Sequence, residues 1–384
     1  MMFPGFDIDT FLRDHWQKKP LLIRNPWGHW VNPLEPDELA GLACEPEIES
    51  RLIVKTADNW AVEHGPFAEE RFNRLGREPW TLLVQAVDHY IPAVAELIEP
   101  FRFIPDWRID DVMVSYATDH GGVGAHFDQY DVFLIQGLGR RRWQVGQLCN
   151  NDSALLPHDD LRLLAHFDPT DEWVLEPGDM LYVPPGIAHN GVAMTDDCMT
   201  YSIGFRAPSS EELIGHWVDD LLAEAVADDR YADPLLARQP NPGEIRPEAL
   251  ASLHAMVMEK LSDPAAFARW FGQYNSGRKY PEIDWSPENA ADPRYVAEML
   301  RNGALLHRNP ASRFSFIRQD NRLLLFVDGN CWDCDPDSTA FAENICARKS
   351  IAAESAWAES TQVTALITEL INAGSLAIDE EDFH

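Results

Sequence analysis

GGVGAHFDQYDVFLIQ, residues 121–136, is the stretch that decides the fold. Its glycines allow the backbone to approach a ligand closely, and its apolar half favours a β-strand that runs into a hairpin turn at 137–139. On a strand the side chains of His126 and Asp128 point the same way, because the strand period is two residues. Two histidines and one carboxylate can occupy one face of an octahedral Fe(II) site and leave three positions open. The stretch therefore predicts a metal site on a β-rich scaffold.

The His-x-Asp pattern alone is weak evidence, because it occurs three times in this chain. The other two occurrences are His158-x-Asp160 and His166-x-Asp168. The last of them even repeats the tetrapeptide Ala-His-Phe-Asp found at 125–128. It ends a short amphipathic stretch and leaves little room for sheet strands before the next histidine. Context favours the 126–128 pair as metal ligands and solvated loop positions for the other two.

A third ligand is predicted at His189. The stretch EPGDMLYVPPGIAH, residues 176–189, contains a Pro-Gly-Asp turn, a short strand over Met180–Val183 and a Pro-Pro-Gly turn, and His189 opens the next strand. Turn, strand and histidine recur in this order in jelly-roll barrels. A lone histidine is more often a satisfied core or surface residue, but this setting favours a ligand.

An arginine run follows the predicted turn at 137–139. Read with period two, one strand face carries Arg141, Trp143 and Val145, and the other carries Arg140, Arg142 and Gln144. The apolar partners of Arg141 indicate that it points into the barrel, whereas Arg140 and Arg142 form a solvated face. A buried guanidinium needs an anion, which is either a bound carboxylate ligand or a protein carboxylate in an internal salt bridge.

These motifs together carry a family resemblance. They are WQKKP at 16–20, WRIDD at 107–111, GGVGAHFDQYDVF at 121–133, GRRRW at 139–143 and YSIGFRAP at 201–208. The chain closely resembles the bacterial JmjC-type ribosomal oxygenases over almost its whole length. The resemblance implies an oxygenase that uses Fe(II), 2-oxoglutarate and O2 to hydroxylate one arginine side chain of protein sixteen of the large ribosomal subunit. Some relatives modify ribosomal histidines, so a histidine hydroxylase is the nearest alternative.

The resemblance also assigns roles by position. The iron ligands, which are also the catalytic residues, would be His126, Asp128 and His189. The partner of the distal 2-oxoglutarate carboxylate would be Arg141, with Ser115 adding a hydroxyl. Independently of the resemblance, a substrate guanidinium needs carboxylates or stacked aromatic rings to hold it, and the candidates are Asp119, then Ser202 and Tyr130, although each is as readily an ordinary strand or loop residue. Phe127 departs from the aliphatic residue expected between the first two ligands.

Composition points to a cytoplasmic protein with a basic partner. The 384 residues carry a formal net charge of −32, which repels free nucleic acid and attracts a basic ribosomal protein. The shortage of lysine relative to arginine leaves open that the acidic balance reflects a salty environment. Neither a membrane span nor an export signal is indicated. Cys331 and Cys334 lack a second ligand pair nearby, so they are expected as free thiols in a hairpin rather than as a zinc site.

The fold class expected is α+β. A double-stranded β-helix, the cupin-like jelly roll of JmjC proteins, should occupy residues 1–207, with its strands between 107 and 205. The helices expected in this part are Ile8–Lys18, Pro36–Ala43 and Trp80–Ile98. The last has a break near Pro92.

Two further domains are expected after the jelly roll. Residues 208–278 should form helices that begin at a capping box of Ser209 and Glu212 and continue at 247–261 and 265–274, and their apolar faces need a partner. The jelly roll could be that partner, but the family resemblance implies a helical dimerisation domain. Residues 279–384 resemble a winged helix, and its predicted elements are a helix at 296–301, strands at 314–318 and 323–327 around a tight turn, and a helix at 361–373. Because acidic residues outnumber basic ones there, direct DNA binding is not expected.

Two other classes of function stay open. One is a jelly-roll metalloenzyme that acts on a small molecule without 2-oxoglutarate, in which Arg141 would pair internally. The other is a non-catalytic ribosome-binding module with a relict barrel, whose activity would survive the loss of His126.

Overall fold

A computed structural model describes residues 3–56, 59–76, 78–223, 230–319 and 322–379. The chain divides into two compact units, one of Met1–Ala207 with Asn309–Ala311 and one of Pro208–Arg308 with Ser312–His384. Within the described ranges, no helix has the length and apolar character needed to cross a membrane.

The first unit is built from two antiparallel sheets. Its strands are β1 (Leu21–Ile23), β2 (Ser50–Thr56), β3 (Asn59–His64), β4 (Trp80–Val84), β5 (Ile109–Ala117), β6 (Asp131–Leu138), β7 (Arg141–Leu148), β8 (Pro169–Leu175), β9 (Met180–Val183), β10 (Ile187–Ala193) and β11 (Cys198–Phe205). The larger sheet has the order β1-β9-β6-β11-β5-β4-β2-β3, and the smaller has the order β10-β7-β8. The predicted α+β jelly roll is confirmed.

The two faces of the larger sheet are buried against different partners. Val132 and Leu134 of β6 face Trp143 and Val145 of β7 and form the interior of the jelly roll. Phe133, which alternates with them, packs on the opposite side into a larger core closed by the short helices α1 (Ile8–Asp14), α2 (Pro36–Leu42), α3 (Glu69–Asn73) and α4 (Pro92–Ala95). The smaller sheet and β6 therefore enclose the interior toward which Arg141 was predicted to point.

The helix predicted over Trp80–Ile98 is wrong in its first part. Residues 80–84 form β4, which pairs with both β2 and β5, and only short helical turns follow, including α4. Leu82 packs into the outer core and Leu83 into a cluster on the other face, so neither side of this strand is polar. A short run buried on both faces has no amphipathic period that separates strand from helix.

The predicted hairpin turn at 137–139 is also wrong. β6 ends at Leu138 and β7 begins at Arg141, but β6 lies in the larger sheet between β9 and β11, whereas β7 lies in the smaller one. Gly139 has a φ of 62°, a conformation that favours glycine, at the point where the chain changes sheets. The connection therefore folds one sheet over the other instead of pairing neighbours.

The second unit combines helices with two small sheets. Its helices are α5 (Ser210–Ala223), α6 (Pro247–Leu261), α7 (Pro264–Ser276), α8 (Pro293–Arg301), α9 (Pro336–Ala347), α10 (Ser355–Glu359) and α11 (Thr361–Asn372). Its strands are β12 (Leu305–Arg308), β13 (Phe314–Gln319), β14 (Arg322–Val327), β15 (Asn330–Cys334), β16 (Ser350–Ala352) and β17 (Leu376–Asp379). The sheets have the orders β16-β12-β17 and β13-β14-β15.

Several elements predicted in this unit are confirmed. The Ser209 hydroxyl accepts a hydrogen bond from the Glu212 N–H, and the Glu212 carboxylate accepts one from the Ser209 N–H. Cys331 and Cys334 are free thiols on β15, in a hairpin with β14. Of the tight turn predicted between β13 and β14, Asp320 and Asn321 lie outside the described residues. The winged-helix-like core packs α8, α9 and α11 against both sheets.

Candidate metal and cosubstrate site

Three side chains converge at one end of the jelly roll. One ligand atom each from His126, Asp128 and His189 lies within 4.8 Å of the others, and this is the one metal-ligating cluster among the described residues. The His189 Nε2 is 3.6 Å from an Asp128 carboxylate oxygen, and the two imidazole rings are 4.3 Å apart. Two imidazoles and one carboxylate that converge in this way match the facial donor set of non-haem Fe(II) sites.

The first two ligands do not lie on a regular strand, contrary to the prediction. β6 begins only at Asp131, and His126 forms an isolated bridge with His189. The N–H of each histidine donates to the carbonyl of the other, at 3.0 and 2.8 Å, and the Gly186 N–H donates to the Asp128 carbonyl at 2.7 Å. Phe127 packs away from the ligands, against a cluster around Cys149 and Ala188. The spacing prediction is right because these main-chain bonds give the loop the alternation of a strand.

Both imidazoles are oriented for metal binding. The Nδ1 of His126 is 2.9 Å from the Gly124 carbonyl oxygen, and the Nδ1 of His189 is 3.0 Å from that of Ile187. Because a carbonyl can only accept, each Nδ1 carries the proton and each Nε2 lone pair is available. Burial, and then the neighbouring His126, lower the pKa of His189 to about 4, so this ligand is neutral at pH 7.

The two other His-x-Asp pairs have different surroundings. The His158 Nε2 donates to the Trp60 carbonyl at 3.0 Å, and its Nδ1 accepts from the main-chain N–H groups of Asp160 and Leu161. His166 and Asp168 are exposed. The second pair faces solvent, as the context predicted, whereas His158 is partly buried and its ring stabilises a turn.

Arg141 points into the interior, as its strand period predicted. The residue is 3% exposed, and its Nε and one terminal nitrogen have no hydrogen-bond partner among the described residues. No ion pair of Arg141 with a described carboxylate exists, which disfavours the internal salt bridge left open above. An unpaired guanidinium in such a place is costly, so its geometry fits a site built for an anionic ligand.

Polar side chains line the sheet opposite Arg141. Ser115 on β5 pairs with Thr200 on β11, and Thr200 pairs with Gln136 on β6, so all three point to the same face. Gln136 lies four residues after Val132, which faces the interior, and all three polar residues are buried. Arg141 pairs with Ala193. Ala193 in turn packs against Ala117, which is two residues after Ser115 on β5. The sequence prediction named Ser115 but missed Thr200 and Gln136, although the period of β6 could have identified the latter.

Trp143 lies between the arginine and a metal ligand. Its ring is 5.7 Å from the Arg141 guanidinium carbon and 6.0 Å from the His189 ring. Its buried Nε1–H has no partner among the described residues. The prediction treated this residue only as an apolar neighbour and missed a second donor without a partner in the interior.

The predicted substrate residues lie at three places around the jelly roll. Asp119 follows β5, where its carboxylate accepts from the His120 N–H at 3.0 Å and its own N–H donates to Asp196. Tyr130 is 43% exposed, two residues after Asp128. Ser202 on β11 is buried opposite Leu134. No hydrogen bond joins these residues to one another, so their binding role stays a prediction.

A jelly roll with this triad and an inward arginine defines the class of JmjC-domain proteins. The family model described as JmjC domain matches residues 96–213, and the one described as ROXA-like winged helix matches residues 259–377. The chain is 39% identical to the ribosomal protein uL16 3-hydroxylase of Escherichia coli over 95% of both chains. It is 36% identical to a probable ribosomal oxygenase of Haemophilus influenzae over 85% of this chain and 82% of that one. The chain belongs to the bacterial JmjC-domain ribosomal oxygenases.

Solved structures agree with this relationship. The X-ray structure of E. coli YcfD has a TM-score of 0.90 and 35% identity over 98% of this chain and 99% of that chain. Another, of YcfD in complex with cobalt and 2-oxoglutarate, has a TM-score of 0.87 and 36% identity over the same shares.

Proposed function

We propose that this protein is an Fe(II)- and 2-oxoglutarate-dependent oxygenase that hydroxylates an arginine side chain of ribosomal protein uL16, the large-subunit protein sixteen. The observation that carries the proposal is the combination of the His-Asp-His cluster with an unpaired arginine facing the same interior. The names of the similar proteins support the substrate. Because the substrate is a ribosomal protein, the cytoplasm is the proposed site of action.

The donor set fits iron. His126, Asp128 and His189 would hold the ion through two neutral nitrogens and one carboxylate, which leaves open positions for 2-oxoglutarate and O2. A bound Fe(II) would supply the oxidative chemistry of this class, in which one atom of O2 goes into the succinate formed with CO2 from 2-oxoglutarate and the other goes into a C–H bond of the substrate. The carbonyls of Gly124 and Ile187 keep both imidazoles in the ligating tautomer.

The interior fits a dicarboxylate. Arg141 would form a bidentate pair with the distal carboxylate, and Ser115 would add a hydroxyl from the facing sheet. Burial of Arg141 strengthens this pair, because little water competes for the guanidinium. A small-molecule metalloenzyme without 2-oxoglutarate leaves the unpaired Arg141 unexplained.

The target arginine needs an anion and a flat surface. Asp119 offers a half-exposed carboxylate and Tyr130 a half-exposed ring, whereas Ser202 offers a hydroxyl beside the interior. A guanidinium pairs with carboxylates and stacks on aromatic rings. We assign substrate binding to these three residues, in the positioning role that hydroxylation of a single carbon requires.

The helical region following the jelly roll supplies a surface for self-association. No residue of α6 is buried, and its exposed apolar side chains recur at helical spacing at Leu250, Leu253, Val257 and Met258. Such a stripe marks an interface. We therefore propose that residues 208–278 mediate a homodimer, residues 1–207 form the catalytic domain, and residues 279–384, which are rich in acidic groups, contact protein rather than DNA.

Intact-mass measurement of purified uL16 tests this function. uL16 is incubated with the enzyme, Fe(II), ascorbate and 2-oxoglutarate, and parallel reactions use His126→Ala and His166→Ala. A gain of one oxygen atom on an arginine is expected with wild type and His166→Ala, and none with His126→Ala. His166 is the matched control because it lies in the second copy of the tetrapeptide Ala-His-Phe-Asp, at 165–168, and faces solvent.

Other outcomes separate the alternatives. If the added oxygen atom is located on a histidine of uL16, the target is a histidine and not an arginine. Succinate formation that depends on His126 without any change in uL16 would keep the oxygenase and reject this substrate. If a folded wild-type enzyme gives neither oxygen gain on uL16 nor succinate, the oxygenase function itself is rejected.

A further inference from the structure

Arg51, like Arg141, has a buried guanidinium nitrogen without a hydrogen-bond partner among the described residues. It lies on β2, is partly buried, and its Nε is inaccessible to solvent and without a hydrogen-bond acceptor. No side-chain hydrogen bond or ion pair joins its guanidinium to any described residue.

Arg51 faces the same side of the sheet as the cosubstrate residues. Its neighbours divide between the two faces: Leu52 packs in the outer core and Ile53 packs with Leu83 on the other side. Arg51 and Ile53 point the same way because they are two positions apart. Arg51 pairs with Leu83, and Leu83 pairs with Ser115. Two strand spacings, about 10 Å, therefore separate the backbones of Arg51 and Ser115.

The surroundings of Arg51 disfavour an anionic partner. Four charged groups lie within electrostatic range of the Tyr130 hydroxyl. They are the Arg51 guanidinium and the carboxylates of Asp128, Asp111 and Asp110. An anion that approached Arg51 here would be repelled by these carboxylates. Neutral oxygen acceptors would not be, and a guanidinium presents five N–H donors in a fixed plane. A peptide backbone is a neutral partner with regularly spaced acceptors.

We propose that Arg51 donates hydrogen bonds to main-chain carbonyl oxygens of the substrate polypeptide and so aligns the chain whose side chain enters the site. The inference rests on the proposed function, because it takes the substrate to be a protein. It gives a role to a partly buried guanidinium whose Nε has no acceptor among the described residues, and it makes Arg51 a substrate-binding residue outside the metal and cosubstrate set. Among the residues that the structure describes, none accepts a hydrogen bond from the Arg51 guanidinium, so its donors are available to the substrate.

Steady-state kinetics of Arg51→Met test this inference. The substrates are uL16 and a synthetic peptide around the modified residue, Arg51→Lys is the conservative variant, and Arg294→Met, at an exposed arginine on α8, is the control. For Arg51→Met, KM for both substrates should rise about tenfold or more, since hydrogen bonds to charged groups are the strong ones. Arg51→Lys should recover part of the loss, and Arg294→Met should behave as wild type.

Two readouts apart from turnover exclude a structural role. The Kd for 2-oxoglutarate with Mn(II), measured by calorimetry, should stay within about twofold of wild type, and Tm should not fall, because Arg51 has no partner to lose. The ratio of KM between Arg51→Met and wild type should not change with salt, because the acceptors are neutral. A lowered Tm together with weaker 2-oxoglutarate binding would make Arg51 structural and overturn the inference.

The remaining outcomes separate this inference from the function on which it rests. An unchanged KM with an active wild type would overturn the role of Arg51 alone. A KM ratio that shrinks as salt rises would overturn the carbonyl assignment and indicate a carboxylate partner. A folded wild type that leaves uL16 unmodified would overturn both proposals together.

Discussion

At the scale of single residues, polar groups that lack partners are the most informative feature of this molecule. Arg141 and Trp143 each bury a donor that no described protein atom accepts. Folding gains nothing from such groups, and each costs free energy of desolvation. Their place beside a metal cluster indicates that the missing acceptors belong to a ligand.

Replacing Arg141 should therefore separate binding from stability. Arg141→Met is expected to raise the Kd for 2-oxoglutarate about 100-fold, because truncating one member of a buried charge pair costs about 2–5 kcal/mol. The Tm of the ligand-free protein should not fall, since no protein partner is lost. Calorimetry with Mn(II) and thermal melts measure the two effects.

The exposed neighbour provides the control for Arg141. Arg140→Met makes the same substitution at an arginine that faces solvent. It should leave the Kd for 2-oxoglutarate and the Tm at wild-type values. Unchanged 2-oxoglutarate binding by Arg141→Met would contradict the proposed carboxylate site.

Asp131 illustrates the opposite case, a buried charge with every partner in place. It accepts hydrogen bonds from the Tyr182 hydroxyl at 2.6 Å and the Gln17 amide at 3.0 Å, and Arg108 lies 3.3 Å away. Burial is the main cause that raises the pKa of Asp131. The folded protein then binds a proton that the unfolded chain has released, so this group contributes less stability as pH rises toward and past its folded pKa.

Asp131→Asn tests this linkage. The variant should be less stable by about 1–3 kcal/mol, because hydrogen bonds to a charged acceptor are lost. The free energy of unfolding of wild type, relative to that of the variant, should fall as pH rises from the ordinary aspartate pKa of 3.8 through the raised pKa of folded Asp131, as measured by urea unfolding. Asp152→Asn, at an exposed position, is the control. An advantage that grows with pH would mean that the pKa is lowered instead.

At the scale of elements, the site depends on close contact between the glycine-rich segment and β10. A Cβ on Gly122 would lie 2.3 Å from the Gly191 carbonyl oxygen, and one on Gly191 would lie 2.6 Å from the Trp143 ring. His189 is two residues before Gly191 on the same strand. The glycines therefore set the distance between the loop that holds two ligands and the strand that holds the third.

Gly122→Ala should lower both the stability of the fold and the affinity of the site for metal. We expect a loss of about 1–3 kcal/mol in the free energy of unfolding, typical of overpacking, together with weaker Co(II) binding. Urea unfolding and absorbance titration measure these effects. Gly41→Ala, on α2 with open space around it, should instead add about 0.5–1 kcal/mol. Similar behaviour of the two variants would show that the contact with β10 does not matter.

The sequence predicted elements well where one face is polar and poorly where both faces are buried. The amphipathic period of β7 placed Arg141 inward, and the spacing of His126, Asp128 and His189 predicted the metal cluster. β4 was mistaken for a helix because both of its faces are covered. The change of sheet at Gly139 was mistaken for a hairpin, because local sequence does not encode which strands pair. Thr200 and Gln136 were missed because only the register aligns them with Ser115.

At the scale of the whole molecule, the apolar stripe of α6 is the surface that most needs a partner. Val257 is 57% exposed, and charged substitution there should block association. Val257→Asp is expected to convert the proposed homodimer to a monomer in sedimentation experiments, with the metal site intact. Glu259→Gln, exposed on the same helix, should leave the assembly unchanged. A wild-type protein that sediments as a monomer at micromolar concentration would reject the dimer.

The pairing of β1 with β9 has a consequence for how this protein is made. Asn25, just after β1, donates to the carboxylate of Asp179, just before β9, across 154 residues of sequence. At roughly 5–20 residues per second, β1 leaves the ribosome about 8–30 s before the strand that it pairs with. During that interval its edge is free to pair wrongly, so the jelly roll cannot close strand by strand as it is synthesised. Slowing translation between residues 25 and 179 should therefore lower the yield of folded protein before it changes the activity of the molecules that do fold.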